Sequence, residues 1–288
     1  TVARLRSAAD RLGYRPNLAA RALRAGATRT VWLLTGSFNA VNERLLVRSA
    51  AQSLEAGGYD LLLAEFRDDA GYERLLGRLD QGLADAALVI AGGESHPESP
   101  TLRALIARRY PLVFLDRGPG WEGVPTVSTD NVGATRELVR RLATSGIRRL
   151  VFVEWGSNDV SSLRASTAVA EARKLGLQAA LSRSLPTAWL ANGQGPLGVV
   201  ASSQGDIHDW CTENATALRG IEMRFAVFDD WTGEPYPSPV VFVAIQDFAG
   251  MAERAARRLL AQTAEGQPWS DESEHLPLLR IDEIRARL

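Results

Sequence analysis

At 288 residues, with 45% hydrophobic and 23% charged side chains, the chain has the make-up of an ordinary globular protein and room for two lobes, each with its own core. Its single cysteine, Cys211, excludes an internal disulfide and a cysteine-rich zinc site, and it fits a reducing, cytoplasmic location. No apolar run reaches the ~18 residues of a membrane span, no secretory signal is visible, and the net charge of −1 hides an uneven distribution.

The unevenness lies at the start. Within residues 1–29, Arg4, Arg6, Arg11, Arg15, Arg21, Arg24 and Arg29 face Asp10 alone. A basic arm on a mildly acidic body suits an end that meets a polyanion, although a solvated helix face would have the same composition. Val2, Leu5, Ala8, Ala9 and Leu12 recur at helical spacing, and Gly13 ends that helix. Pro16 then breaks the chain, Asn17 can cap, and Leu18 to Ala25 form a two-turn helix closed by Gly26. Two turns are marginal alone in water, because nucleation costs more than they return. Such a helix needs a partner, and Arg21 and Arg24 suggest one that carries phosphates.

After Thr30 short apolar runs recur, at 31–35, 59–66, 86–92, 111–116, 149–155, 197–202, 224–230 and 240–247. Each is too short for a buried helix and rich in Val, Leu, Ile and Phe, as parallel strands covered on both faces are. Helical stretches lie between them, among them 42–58, 131–146 and 248–266. Strand and helix alternating in this way predict a doubly wound α/β fold, with length enough for two sheets. The least regular stretch is the Pro/Gly loop at 184–198, which contains Trp189.

The run "LGYRPNLAARALRAGATRTVWLL" (12–34) resembles the hinge of LacI/GalR-type bacterial transcription regulators. Further matches follow in order: "PLVFLDR" (111–117), "VPTVSTDNVGATRELVRRLATSGIRRLVFV" (124–153), "FAVFDD" (225–230), "VAIQDFAGMAERAARRLL" (243–260) and "LPLLRI" (276–281). The resemblance implies a periplasmic-binding-protein-like class I body, two doubly wound parallel-sheet lobes joined by crossover strands. Residues 1–28 would be the third helix of a DNA-binding headpiece plus the hinge helix. Residues 29–128 with 248–275 would form the N-terminal lobe, and 129–247 with 276–288 the C-terminal lobe.

What the family does is implied residue by residue. Its hinge helix enters the minor groove, where a leucine wedges between base pairs. Leu23 matches that leucine, and Ala20 the small residue that lets two helices approach. Tyr14, Asn17 and Arg24 become backbone contacts. The alternative for Leu23 is packing on the body of its own protein. The family's two further headpiece helices, including the one that reads the major groove, do not match any part of residues 1–288, so this chain alone is expected to bind DNA poorly and without sequence preference. The resemblance further implies a homodimer on a near-palindromic operator, with helix 42–56 as the expected interface.

An effector is expected at the strand carboxyl ends between the lobes, with the chain crossing near Ser128–Asp130, Gln246–Phe248 and His275–Leu278. Residues there are Phe38, Asn39, Asp116, Arg117, Trp155, Asn158, Ser203, Trp231 and Gln246. Arg164 matches the family arginine that holds an effector hydroxyl or carboxylate, the alternative being a surface arginine. Where many members carry Asn-Asp, this chain has Ser202 and Ser203, which lack the charge of that pairing. Trp155, Trp210 and Trp231 could each face a sugar ring or nucleobase, or belong to the core. A small polar effector is expected, with no cofactor.

Catalysis finds little support. Asp206, His208, Asp209 and Cys211 match no metal spacing, and Asp206 reads as a first-turn helix acid. There is no G-x-S-x-G elbow and no G-x-G-x-x-G after the first strand, and Lys174 is the chain's one lysine. The chain therefore reads as a ligand-responsive regulator, with a solute-binding protein of the same fold as the alternative.

Overall fold

The computed structural model describes residues 2–285 apart from 16, 37–40, 92–98, 119–122, 154–158, 187–188, 190–194, 230–239 and 265–268. Two short helices lead: α1 (Val2–Arg11) and α2 (Leu18–Ala25). The Asn17 side chain accepts the Ala20 amide at 3.2 Å, and Gly26 closes α2 in the left-handed region at φ 67°. A residue without a Cβ adopts that conformation at no steric cost, which is why glycine stands there.

The body holds two six-stranded sheets. The first contains β1 (Thr30–Thr35), β2 (Asp60–Glu65), β3 (Ala86–Ile90), β4 (Leu112–Leu115), β5 (Thr126–Thr129) and β11 (Glu274–Leu276), in the order β11-β5-β4-β3-β1-β2. The second contains β6 (Arg149–Phe152), β7 (Gln178–Leu181), β8 (Leu197–Ala201), β9 (Met223–Phe228), β10 (Val240–Ile245) and β12 (Arg280–Arg285), in the order β12-β10-β9-β8-β6-β7. Every pairing is parallel except β10 with β12. Helices cover both faces: α3 (Val41–Ala56), α4 (Asp69–Asp80), α5 (Pro100–Ala107) and α9 (Phe248–Thr263) on the first sheet, and α6 (Asn131–Thr144), α7 (Asp159–Lys174) and α8 (Gln204–Glu213) on the second. This is the doubly wound, two-lobed fold expected.

Side chains alternate across each strand and so feed two cores per sheet. Val31 and Leu33 join α3 and α9 on one face of the first sheet, while Leu34 joins α4 and α5 on the other. In the second lobe Val200 packs on the face of α6 and α7, and Val199 on that of α8. Trp210 is 0% exposed in this last core. That settles one open alternative: Trp210 is core and offers no face to a ligand.

The chain passes between lobes three times: from β5 into α6, from β10 into α9, and from β11 into β12. The first two crossings end alike. Asp130 accepts the Gly133 amide at 2.9 Å and Asp247 accepts the Gly250 amide at 2.8 Å, capping α6 and α9. Each D-x-x-G cap requires its glycine, because a Cβ at either position would lie 2.2 Å from the capping carboxylate. Backbone bonds bind the crossings together, Asp130 N–H to Leu276 C=O at 2.7 Å and Leu279 N–H to Ile245 C=O at 2.9 Å.

Candidate functional site

Strand orders β2-β1-β3-β4-β5 and β7-β6-β8-β9-β10 repeat one topology, so β4 and β9 hold equivalent places in the two lobes. Each is followed by an aspartate in the left-handed region, Asp116 at φ 67° and Asp229 at φ 73°. Their amides make matching bonds, to Val127 C=O at 2.8 Å and to Ala244 C=O at 3.0 Å. Aspartate visits this region more readily than most residues, yet it is still strained there, and such strain concentrates at functional sites. The strained turns aim two carboxylates from opposite lobes into one cleft.

Arg164 of α7 stands between them. It is 5% exposed, with its guanidinium carbon 3.5 Å from the Phe228 ring centroid. Its Nε donates to Asn131 Oδ1 at 2.8 Å, one Nη to Gln246 Oε1 at 3.2 Å and the other to Ser202 C=O at 3.4 Å. The surface-arginine alternative is thus excluded. Gln246 is tied on both sides: its Oε1 also accepts from Thr129 Oγ1 at 2.6 Å, and its Nε2 donates to Asp229. One buried network therefore links the first crossing, the second crossing and the Asp229 turn.

The cavity around this network, about 310 Å³, draws Asp116, Arg117, Asn42 and Glu43 from the first lobe and Ser161, Arg164, Ser203, Asp206 and Asp229 from the second. Burial pushes the carboxyls of Asp116 and Asp206 upward, and that of Asp229 up to about 6, against the opposing pull of Arg164. The same burial lowers Arg164 to about 10. Ser203 and Asp206 form a capping box at the start of α8, so Asp206 is a first-turn acid as expected and also faces the cleft. Of the residues singled out in the sequence, Asp116, Arg164, Ser203 and Gln246 converge here. Phe38, Asn39, Trp155, Asn158 and Trp231 lie outside the described residues. Asp229, Glu43 and Asn42 were missed, although "FDD" held Asp229 in plain view.

At the other end of the first lobe α2 borders a cavity that it shares with Tyr59, Leu83 and Pro111 of the body. Leu23 is 88% exposed, and Tyr14, Ala20 and Arg24 are exposed beside it. Leu23 is therefore not packed as a core residue of its own lobe. Downstream of α2 the junction is held by Asp85, which sequence reasoning also missed. Its carboxylate accepts from Thr28 N–H (2.7 Å), Thr28 Oγ1 (2.8 Å) and Arg29 N–H (2.8 Å). The partners lie more than fifty residues apart in sequence, and no local pattern could have joined them.

No family model matches the chain. Among curated proteins it is similar to the HTH-type transcriptional regulator PtxS of Pseudomonas plecoglossicida, 28% identical over 68% of this chain and 60% of that protein. It is also similar to the HTH-type transcriptional regulator CelR of Thermobifida fusca, 30% identical over 52% of this chain and 45% of that one. The chain thus spans about half the length of these relatives. Among solved structures, the Cra transcriptional dual regulator of Pseudomonas putida in complex with fructose 1-phosphate superposes with a TM-score of 0.70 at 18% identity, over 90% of this chain and 99% of that one. In its hinge motif the chain resembles regulators of the LacI/GalR type, and it is similar to these curated relatives and shares the two-lobed fold of the solved structure.

Proposed function

We propose that the chain is the hinge and effector-binding portion of a dimeric, cytoplasmic DNA-binding repressor whose operator affinity responds to a small polar molecule in the inter-lobe cleft. The observation that carries the reading is α2. It is a capped two-turn helix that holds Leu23 and Arg24 in solvent, and such exposure of a leucine contributes little to the stability of its own chain. A leucine wedge in the minor groove gives that exposure a purpose, with Tyr14, Asn17, Ala20 and Arg24 beside it on the duplex backbone. A solute-binding protein of the same fold would leave this helix without a role.

The effector reading rests on the Arg164–Gln246–Asp229 network, flanked by Asp116 and Ser203. An effector that touches both lobes favours one lobe arrangement over another and shifts DNA affinity by that difference alone. For the dimer, Leu45 on α3 and Leu62 and Leu63 on the edge strand β2 are exposed leucines on one end of the first lobe. Such a patch on an unpaired edge is what a second copy would cover. The test is fluorescence anisotropy of the natural full-length protein on its palindromic upstream region, with and without effectors found by thermal-shift screening. A change in operator affinity on effector addition is expected. Binding with no sequence preference, or none at all, would overturn the proposal.

A further inference from the structure

A cavity of about 710 Å³ lies between α2 and the base of the first lobe. Ala22 and Leu23 line it from the helix, and Tyr59, Leu83, Ala84 and Pro111 from the body. Resting on the wedge reading above, we propose that α2 is a strap with two seats. Off DNA it closes on this cavity and buries Leu23 beside Leu83, so an operator gains its wedge only by drawing that leucine out of its own lobe.

Neither wall is complete alone. The eight residues of α2 make two turns, and two turns return less than their nucleation costs in water. The helix therefore needs a surface to lie on. Duplex DNA offers one, and the far wall of the cavity offers the other. Leu23 and Leu83 are 88% and 51% exposed on opposite sides of the gap, and closing it takes both out of water at once. The floor they meet is already firm, since Tyr59 and Ala84 are packed into the two cores of the first sheet.

The linker has the form of a pivot beside an anchor. Ala27 N–H bonds back to Ala22 C=O at 3.2 Å, within the segment itself. Gly26 has open space on the side where a Cβ would stand. Among the described residues the ties to the body begin at Thr28, whose amide and hydroxyl donate to Asp85, and continue at the Arg29 amide. Arg29 is itself in the left-handed region at φ 56°, and its guanidinium carbon lies 5.2 Å from the Tyr59 ring centroid. A residue with a Cβ is strained in that conformation, and such strain persists where the surrounding bonds over-determine it. The anchor is thus rigid, and rotation at Gly26 and Ala27 swings α2 toward the lobe or away from it without disturbing β1. The two seats exclude each other because each needs Leu23, so the docked fraction lowers apparent operator affinity in proportion.

Amide hydrogen exchange on the 288-residue chain without DNA tests the docked seat. The amides of residues 22–25 should exchange at least about tenfold slower than an unstructured chain of that sequence, and Leu23→Ala or Leu83→Gln should each abolish the protection. Leu83 is half exposed in the turn between α4 and β3, so its replacement leaves the fold intact. Fluorescence anisotropy with the natural full-length protein tests the competition, and Leu83→Gln should tighten operator binding by at least about threefold. Unprotected amides, protection that survives Leu83→Gln because α2 lies on some other surface, or operator affinity unchanged by that substitution would overturn the proposal and leave the wedge reading standing. Protection that Leu83→Gln removes, in a natural protein that binds no operator, would overturn the wedge reading and the competition with it.

Discussion

At the scale of single residues, two aspartates decide the behaviour of the cleft. Asp229 faces Arg164, Arg117, Asp116 and the Gln246 amide, and burial still holds its carboxyl near 6 against an ordinary 3.8. The folded, unliganded chain therefore keeps this proton more tightly than the unfolded chain. Its contribution to stability is fullest below the ordinary value and is lost as pH rises toward 6. An effector that donates hydroxyls to Asp229 favours the ionised form, so the sign reverses for binding. Effector affinity should weaken as pH falls through about 6, by roughly tenfold per unit at most, and Asp229→Asn should flatten that profile in calorimetry. Arg164→Ala removes the partner of a buried network and should cost about 3–5 kcal/mol of stability in urea unfolding. Arg164, Asp116 and Gln246 were legible in the sequence because each sits at a fixed place in a family motif. Asp85 and Glu43 were not, because their importance comes from neighbours that only the fold assembles.

At the scale of elements, the apolar runs announced their strands because strands buried on both faces must be apolar throughout. The edges escaped. β7 reads Gln-Ala-Ala-Leu and is only half covered, and β12 alternates Arg, Ile, Asp, Glu and Ile on the antiparallel edge of its sheet. Such segments carry no continuous apolar signal to find. The helix starts after the first two crossings were plainer, since both read D-x-x-G. Gly250→Ala would push a methyl into the Asp247 carboxylate and break the cap of α9, at a cost of about 1–3 kcal/mol measured by thermal or urea unfolding. The Asp85 junction makes a separate prediction. Asp85→Ala frees three donors at the base of α2, so it should weaken operator binding by the natural protein while leaving effector affinity unchanged.

At the scale of the whole molecule, the Arg164 network and Leu23 lie at opposite ends of the first lobe. In the proposed regulator they would communicate through lobe closure, by changing how two copies of that lobe present their α2 helices. The three crossings, tied to one another by backbone hydrogen bonds and to the cleft by Gln246, are placed to move together. The account stands or falls on the wedge, and DNA bending reads it most directly. End-to-end energy transfer should be measured on a doubly labelled operator duplex bound by the natural protein and by its Leu23→Ala form. The account predicts a sharp bend with the natural protein, a bend lost in Leu23→Ala, and affinity at least about tenfold weaker in the variant. An unbent duplex with the natural protein, or equal bending and affinity in both, would contradict it.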